Sequence, residues 1–476
     1  MIKNRKKVKL SALVFSVFAF LLFVAGCNFM SSESEYDEYA EQGTTVQETP
    51  PPNDTPFENE NNDDTITDET YSPMPDDAEN YDTASASQDD NAEDYSPQEE
   101  LQIFEPIIIT EYMRLAIDNI ATSHGAVGVQ VAIIQNGEII GTHEFGYATR
   151  GSAPMREDTK IRVASLTKPI LAMLAMRLHE EGLIDIDADI GDYWGIAVRN
   201  PNYPDIPITI RYLMTHTSSM RSFDFPFQSS ELAHRNQIQA GNFFTEQRPG
   251  EINSWYYNNF AYCFLGVTLE IATGETVNAM ANRFFFEPLG IDAAFGPGNI
   301  SDTDNLATLY RSNGNIARSV QALRETIGSN YPGQSGLQFT GGLTISASDY
   351  AKLMAALIGN GEVGEVRILS AESVELLKLS QGTVLGEQWQ GITSMFNHSL
   401  ALRWWTNTLG QEELFWHTGG AFGVAALTAF NPINGNGVIV VTTGANLERR
   451  DNYIHIICAE IAEVVLAKQG DGGAAS

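Results

Sequence analysis

Residues 162–169 read Arg-Val-Ala-Ser-Leu-Thr-Lys-Pro, the only S-x-x-K in the chain. Ser165 and Lys168 stand three apart where a helical pattern begins, so their side chains share a face. A serine hydroxyl is a weak nucleophile until a base takes its proton. A lysine amine can do so when desolvation and nearby cations lower its pKa, and the Pro-Ile-Leu-Ala-Met-Leu-Ala-Met that runs on from Pro169 is an apolar setting. Alone, the pair reads as a capping serine and a lysine whose stem covers apolar surface. Two further stretches carry polar groups among aromatic or glycine residues. One is Trp255-Tyr256-Tyr257-Asn258-Asn259-Phe260-Ala261-Tyr262-Cys263-Phe264-Leu265-Gly266, after Pro249-Gly250. The other is His417-Thr418-Gly419-Gly420-Ala421-Phe422-Gly423, where a strand pattern ends.

The elements that must hold these residues are legible in outline. Met113, Ala116, Ile117 and Ile120 recur at helical spacing within 106–122. Residues 127–134 and 138–147 flank Asn136-Gly137, a hairpin signal. Residues 165–181 predict a helix closed by Gly182. The middle, to about residue 340, reads as helices with long loops. Strand patterns return at 413–416, 424–430 and 438–443, and a last helix near 451–468 puts Ile454, Ile457, Cys458, Ile461, Val464 and Val465 on one face. Strands at both ends with helices between predict an α+β fold: one antiparallel sheet built from both ends, flanked by the N- and C-terminal helices, with an all-helical subdomain inserted.

The net charge of −33 over 476 residues is unevenly spread. Residues 1–30 carry five basic groups and no acid, residues 31–100 carry 23 acids and no Lys or Arg, and the remainder nets −15. No basic stripe exists for nucleic acid, and only residues 10–26 form a long apolar run. A basic start, an apolar core and Val24-Ala25-Gly26-Cys27 describe a secretory signal over 1–27, and its end resembles the lipobox of bacterial lipoproteins. That resemblance implies lipidation of Cys27 and an extracytoplasmic protein anchored to the cell membrane; an uncleaved transmembrane anchor is the alternative. Residues 28–103 are acidic and poor in apolar groups, the composition of a disordered linker. A globular body is expected over 104–470, with a short tail at 471–476. Cys263 and Cys458 lie in apolar segments and read as buried thiols. The eight histidines show no H-x-x-x-H or H-E-x-x-H spacing, so neither a metal nor another cofactor is expected.

Three motifs in this order resemble those of the serine beta-lactamase and penicillin-binding-protein superfamily, specifically class C beta-lactamases and D-alanyl-D-alanine carboxypeptidases. There S-x-x-K, Y-x-N and K-T-G or H-T-G line one cleft. The resemblance covers about 106–468. It includes the Asn136-Gly137 hairpin, Ile208-Thr209-Ile210-Arg211-Tyr212-Leu213-Met214-Thr215-His216-Thr217-Ser218, Glu287-Pro288-Leu289-Gly290 and Gly341-Gly342-Leu343. It implies a class C-like fold, with Ser165 as the acylated nucleophile and Lys168 as its base partner. Tyr257 would handle protons and Asn259 would orient Lys168 and substrate. His417 stands where the family has Lys or His, Thr418 and Gly419 would bind substrate, and the N–H groups of Ser165 and Gly420 would form the oxyanion hole. An acyl transfer needs such a set: a nucleophile, a base and two donors aimed at the developing oxyanion.

Three departures stand out. Tyr256-x-Asn258 also fits Y-x-N, so the register stays open. Ser219 stands where the T-H-T-S segment usually continues with Gly. His417 offers a group with an ordinary pKa of about 6.5 where a Lys would be cationic at pH 7. The expected function is an acyl-enzyme hydrolase acting on cell-wall stem peptides or related amides and esters. A true beta-lactamase and a non-catalytic binding module are the alternatives.

Overall fold

Gly128–Gln135 (β1) is an unbroken apolar run apart from its two glutamines, and all eight residues are buried. A strand covered on both faces and paired on both edges has that composition. β1 pairs antiparallel with Glu138–Thr149 (β2) on one side and with Gly437–Thr443 (β10) on the other, so Val131 lies opposite both His143 and Val440. Asn136 and Gly137 join β1 to β2 with φ of 52° and 81°, the turn that this dipeptide favours. In this computed structural model the described residues are 109–221, 230–379, 402–450 and 453–467. Cys27, the 1–27 signal, the 28–103 linker and the 471–476 tail lie outside them.

The remaining strands are Ala153–Pro154 (β3), Ile161–Arg162 (β4), Ala294–Phe295 (β5), Leu343–Ile345 (β6), Arg403–Thr408 (β7), Gln411–Ala421 (β8) and Val424–Phe430 (β9). The main sheet has seven strands in the order β7-β8-β9-β10-β1-β2-β3. Its neighbours are antiparallel throughout, and it draws on both ends of the body as expected. β7 was not foreseen. The principal helices are Glu111–Ser123 (α1), Thr167–Glu180 (α2), Glu231–Ala240 (α3), Asn259–Thr273 (α4), Ala347–Ile358 (α5) and Ile456–Leu466 (α6).

α1 and α6 cover one sheet face, where Ile117, Ala121, Ile457 and Ile461 join Val129, Val131, Leu427 and Val440 in one apolar cluster. Burial at this scale is the dominant favourable term in folding. α5 lies against β1 and β10, and the turn before α2 lies against β8. A Gln130 amide ties these layers: Nε2 donates to the carbonyl of Thr159 (2.9 Å), and Oε1 accepts from the N–H of Ala347 (3.1 Å). Among the described residues no helix is long and apolar enough to cross a membrane.

Candidate active site

Ser165 sits in a single 3₁₀ turn, Ala164–Leu166, between β4 and α2. Ala164 has φ of +50°, a conformation that L-residues rarely adopt. Its surroundings hold it there. The Val163 N–H donates to the Leu343 carbonyl (2.9 Å), and the Thr167 hydroxyl donates to the Ala164 carbonyl (2.7 Å) and accepts from the Leu343 N–H (3.0 Å). The small β4-β6-β5 sheet thus clamps both sides of the turn. Ser165 is left partly exposed at the head of α2, a helix buried almost all round.

Lys168, one turn on, is fully buried. Its Nζ is 2.9 Å from Ser165 Oγ and 2.9 Å from the Thr340 carbonyl oxygen. The faces of Tyr257 and Tyr262 lie 5.0 and 5.6 Å from the same nitrogen. Tyr262 is fixed in turn by donating to the Met214 carbonyl (3.0 Å). Thr340 was not anticipated. It belongs to a short helix, Gln338–Gly341, seated on α4 by Phe339. The seat is Gly266, where any Cβ would overlap the Phe339 ring.

The geometry sets the two tyrosines apart. Tyr256 is exposed and stacks under the Arg221 guanidinium, whereas Tyr257 faces Lys168. His216 arranges this. Its carbonyl accepts from the Tyr256 N–H (3.0 Å), and its Nδ1 accepts from the Asn258 N–H (3.1 Å), so Tyr257 is bracketed. The His216 ring stands 4.6 Å from that of Tyr257. Asn258 caps α4, accepting from the N–H of Phe260 (2.9 Å) and donating to the Met220 carbonyl (2.6 Å). Asn259 opens the same helix, half-buried, and its amide makes no hydrogen bond to Lys168 or to another described residue. Ser219 has φ of +55°, so the serine adopts the left-handed conformation that a glycine would take at no steric cost.

β8 supplies the opposite wall. His417 is buried, donates from Nδ1 to the Thr418 carbonyl (2.7 Å), and lies 6.2 Å from Tyr257 between ring centroids. β7 pairs with β8 only as far as Trp416, so among the described residues 417–421 has a strand neighbour on the β9 side alone. Gly419 packs against the Val163 carbonyl and Ala164, which brings this stretch of β8 beside Ser165. A strand so placed can pair with a peptide-like backbone. Cys263 and Cys458 are buried thiols, and burial pushes Cys263 up to about 12, far from a reactive thiolate.

The structure therefore brings Ser165, Lys168, Tyr257, His417 and the Thr418-Gly419-Gly420 edge together. A buried amine touching a partly exposed hydroxyl, with a tyrosine over the amine and backbone donors alongside, is an arrangement suited to acyl transfer.

Comparison with known proteins agrees. The family model described as Beta-lactamase matches residues 109–461. Penicillin-binding protein 4* of Bacillus subtilis is 26% identical over 189 residues, 38% of this chain and 40% of that protein. Esterase EstB of Burkholderia gladioli is 30% identical over 182 residues, 35% of this chain and 46% of its own length. The chain thus spans less than half the length of either curated relative. The octameric penicillin-binding protein homologue from Pyrococcus abyssi superposes with a TM-score of 0.58 at 22% identity, covering 75% of this chain and 76% of that one. That last likeness bears on the fold. With the family match running through nearly all the described residues and the S-x-x-K pair in contact, the chain belongs to the beta-lactamase family of serine hydrolases.

Proposed function

We propose that the protein hydrolyses cell-wall stem peptides, or related amides and esters, through an acyl-enzyme on Ser165, and that it does so outside the cytoplasmic membrane from a lipid anchor on Cys27. The observation that carries the catalytic reading is the 2.9 Å contact between Ser165 Oγ and the buried Nζ of Lys168. In its neutral form this amine directs one N–H at the Thr340 carbonyl and its lone pair at the serine hydroxyl. As Oγ bonds to the substrate carbonyl carbon, Nζ takes the hydroxyl proton. The N–H groups of Ser165 and Gly420 receive the oxyanion. The C–N or C–O bond then breaks, and the proton passes by way of Lys168 and Tyr257 to the departing amine or alkoxide. Water next attacks the Ser165 ester, gives its proton back along the same route, and releases the acid with Ser165 restored. The Thr418-Gly419-Gly420 stretch of β8 beside Ser165 holds an extended acyl chain by backbone pairing.

The anchor reading is supported by the sequence Val24-Ala25-Gly26-Cys27 behind a basic and then apolar start.

A fluorescent fluorophosphonate or penicillin should label the protein and spare Ser165→Ala, with the adduct mapped by mass spectrometry. Labelling that persists in Ser165→Ala overturns the nucleophile. For the anchor, Cys27→Ala should release the protein from the membrane fraction and abolish incorporation of labelled fatty acid; retention of both defeats it.

A further inference from the structure

Tyr262, Gly266 and Glu270 stand four apart on α4 and so share one face of that helix. The ring of Tyr262 faces Lys168, and Gly266 seats Phe339. Glu270 holds the head of the segment to which Phe339 belongs. It is buried, with Oε1 accepting from the Val277 N–H (2.8 Å) and Oε2 from the Gly333 N–H (2.5 Å). From Gly333 the chain runs through Ser335, whose carbonyl accepts from the Gln338 N–H (2.9 Å), into the short helix Gln338–Gly341. There the Thr340 carbonyl meets Lys168. The Gly333 carbonyl in turn accepts from the Glu231 N–H (2.5 Å), so the same residue receives the first turn of α3.

Among the described residues no cation balances this carboxylate. Asp349, also buried, lies against Lys160 and Lys352, whereas Glu270 meets two main-chain donors. The charged groups on the elements around it have partners of their own. On α3 Glu231 pairs with Arg235, and after α4 Glu275 pairs with Arg283. On the two short helices packed against α4, Arg211 pairs with Asp187 and Asp192 acts on Arg199. His234, also on α3, is held near 4 by burial. Burial raises Glu270 itself to about 7, against the pull of its two donors. An ionised carboxylate accepts at both oxygens. Once protonated, one oxygen becomes a hydroxyl with a proton to place, and the remaining acceptor cannot serve both N–H groups. The bond to Val277 closes seven residues of chain and the bond to Gly333 closes 63, so the second is the one that yields.

We propose that Glu270 is a positioning residue for the base: as a carboxylate it fastens Gly333, and through residues 333–341 it keeps the Thr340 carbonyl against Lys168. Uptake of a proton by Glu270 slackens that support. Acylation of Ser165 is then tuned by the charge on a group that lies behind the site and never meets the substrate. The inference rests on the acyl-enzyme reading above, but the fastening of Gly333 can be measured without turnover.

Acylation by a neutral fluorophosphonate is followed in the full chain between about pH 5.5 and pH 8.5, in the wild type and in Glu270→Gln, whose amide has one acceptor oxygen at every pH. Any titration of Lys168 or His417 is common to both proteins, so the ratio of the two rates isolates Glu270. The ratio of wild type to variant should lie near 1 at the acid end and rise to about 10 at the alkaline end, the scale of loss that a small misplacement of a catalytic group brings. Its midpoint should fall near 7. A ratio that is constant across the range overturns the proposal, and a constant loss marks a residue that only supports the fold. Should Glu270→Gln fail to fold, the wild type decides alone. Hydrogen exchange of peptides spanning 329–341, corrected for its intrinsic pH dependence, should show protection falling below about pH 7 while α4 keeps its own. Protection that does not change with pH overturns the proposal as well. If the wild type forms no adduct on Ser165 at any pH, the acyl-enzyme reading fails, and the exchange measurement still decides whether Glu270 holds the segment.

Discussion

Lys168 Nζ lies as close to the carbonyl oxygen of Thr340 as to the hydroxyl of Ser165, at 2.9 Å in each case. The base is therefore held from behind by a main-chain acceptor 172 residues further along the chain. Lys168→Ala should slow Ser165 labelling by about 10² or more, the usual scale for losing a positioned proton carrier. Stopped-flow acylation with a fluorophosphonate checks this; a rate within a few-fold of wild type would remove Lys168 from the mechanism.

Tyr257→Phe should slow acylation on the same scale of about 10², while Tyr256→Phe should leave it within about twofold. The geometry separates them, since one ring covers Lys168 and the other lies under Arg221 at the surface. The reverse pattern would mean that the working register is Tyr256 with Asn258.

The two adjacent asparagines should separate in the same way, by stability. Asn258→Ala removes the cap of α4 and should cost about 0.5–2 kcal/mol. Asn259→Ala should leave the melting temperature nearly unchanged and act on turnover alone. Thermal denaturation of both variants beside their kinetics decides it.

Gly266→Ala should disturb the site from a distance. The added methyl group drives Phe339 off α4 and with it the segment that carries the Thr340 carbonyl. Overpacking of this kind costs about 1–3 kcal/mol, and acylation should slow alongside. Phe339→Leu in the same chain should recover part of both losses. No recovery would show that the clash with Phe339 is not the cause.

His234 should make the fold acid-sensitive. It is buried against Trp194, Phe260 and Phe264, and burial lowers it from 6.5 to about 4. Between those values the unfolded chain binds a proton that the folded chain refuses, so stability rises with pH there and is lost on acidification. By pH 4.5 the loss is on the order of 2 kcal/mol. His455, also held near 4, acts in the same sense, while burial raises Glu270 to about 7 and works the other way from pH 4.5 to 7. The difference between wild type and His234→Phe isolates one group: chemical denaturation at pH 7 and pH 4.5 should show a smaller acid loss in the variant. Equal losses would mean that His234 does not carry the linkage.

The parts of this molecule that could be read in the sequence are those fixed by neighbours in the chain. Asn136-Gly137 turns β1 into β2, and the spacing of Ile117 and Ile461 announces helices with one apolar face. The strand expected at 413–416 runs instead over Gln411–Ala421, because the His417-Thr418-Gly419-Gly420 segment remains extended while pairing with β9. What could not be read depends on contacts across hundreds of residues. Thr340 holds Lys168 through a carbonyl, which any residue type supplies. The head group of Arg449 rests against Gly420, where a Cβ would lie 2.9 Å from Nη2. His216 brackets Tyr257 through a turn at φ of +61° that no spacing rule signals.

The pairing of β1 with β10 joins Gly128 to Thr443, near opposite ends of the body. As the chain emerges from its N-terminal side, β1 and β2 appear before the other strands and must wait for almost the whole of the remaining chain before the second edge of β1 is satisfied. A pairing so distant in sequence is slow to form, and until it does the apolar run of β1 presents an open hydrogen-bonding edge, a template for association with other chains. Products terminated before residue 437 can never close that edge. They should accumulate as aggregates rather than as shortened enzymes, which makes β10 the segment that commits the chain to a usable fold.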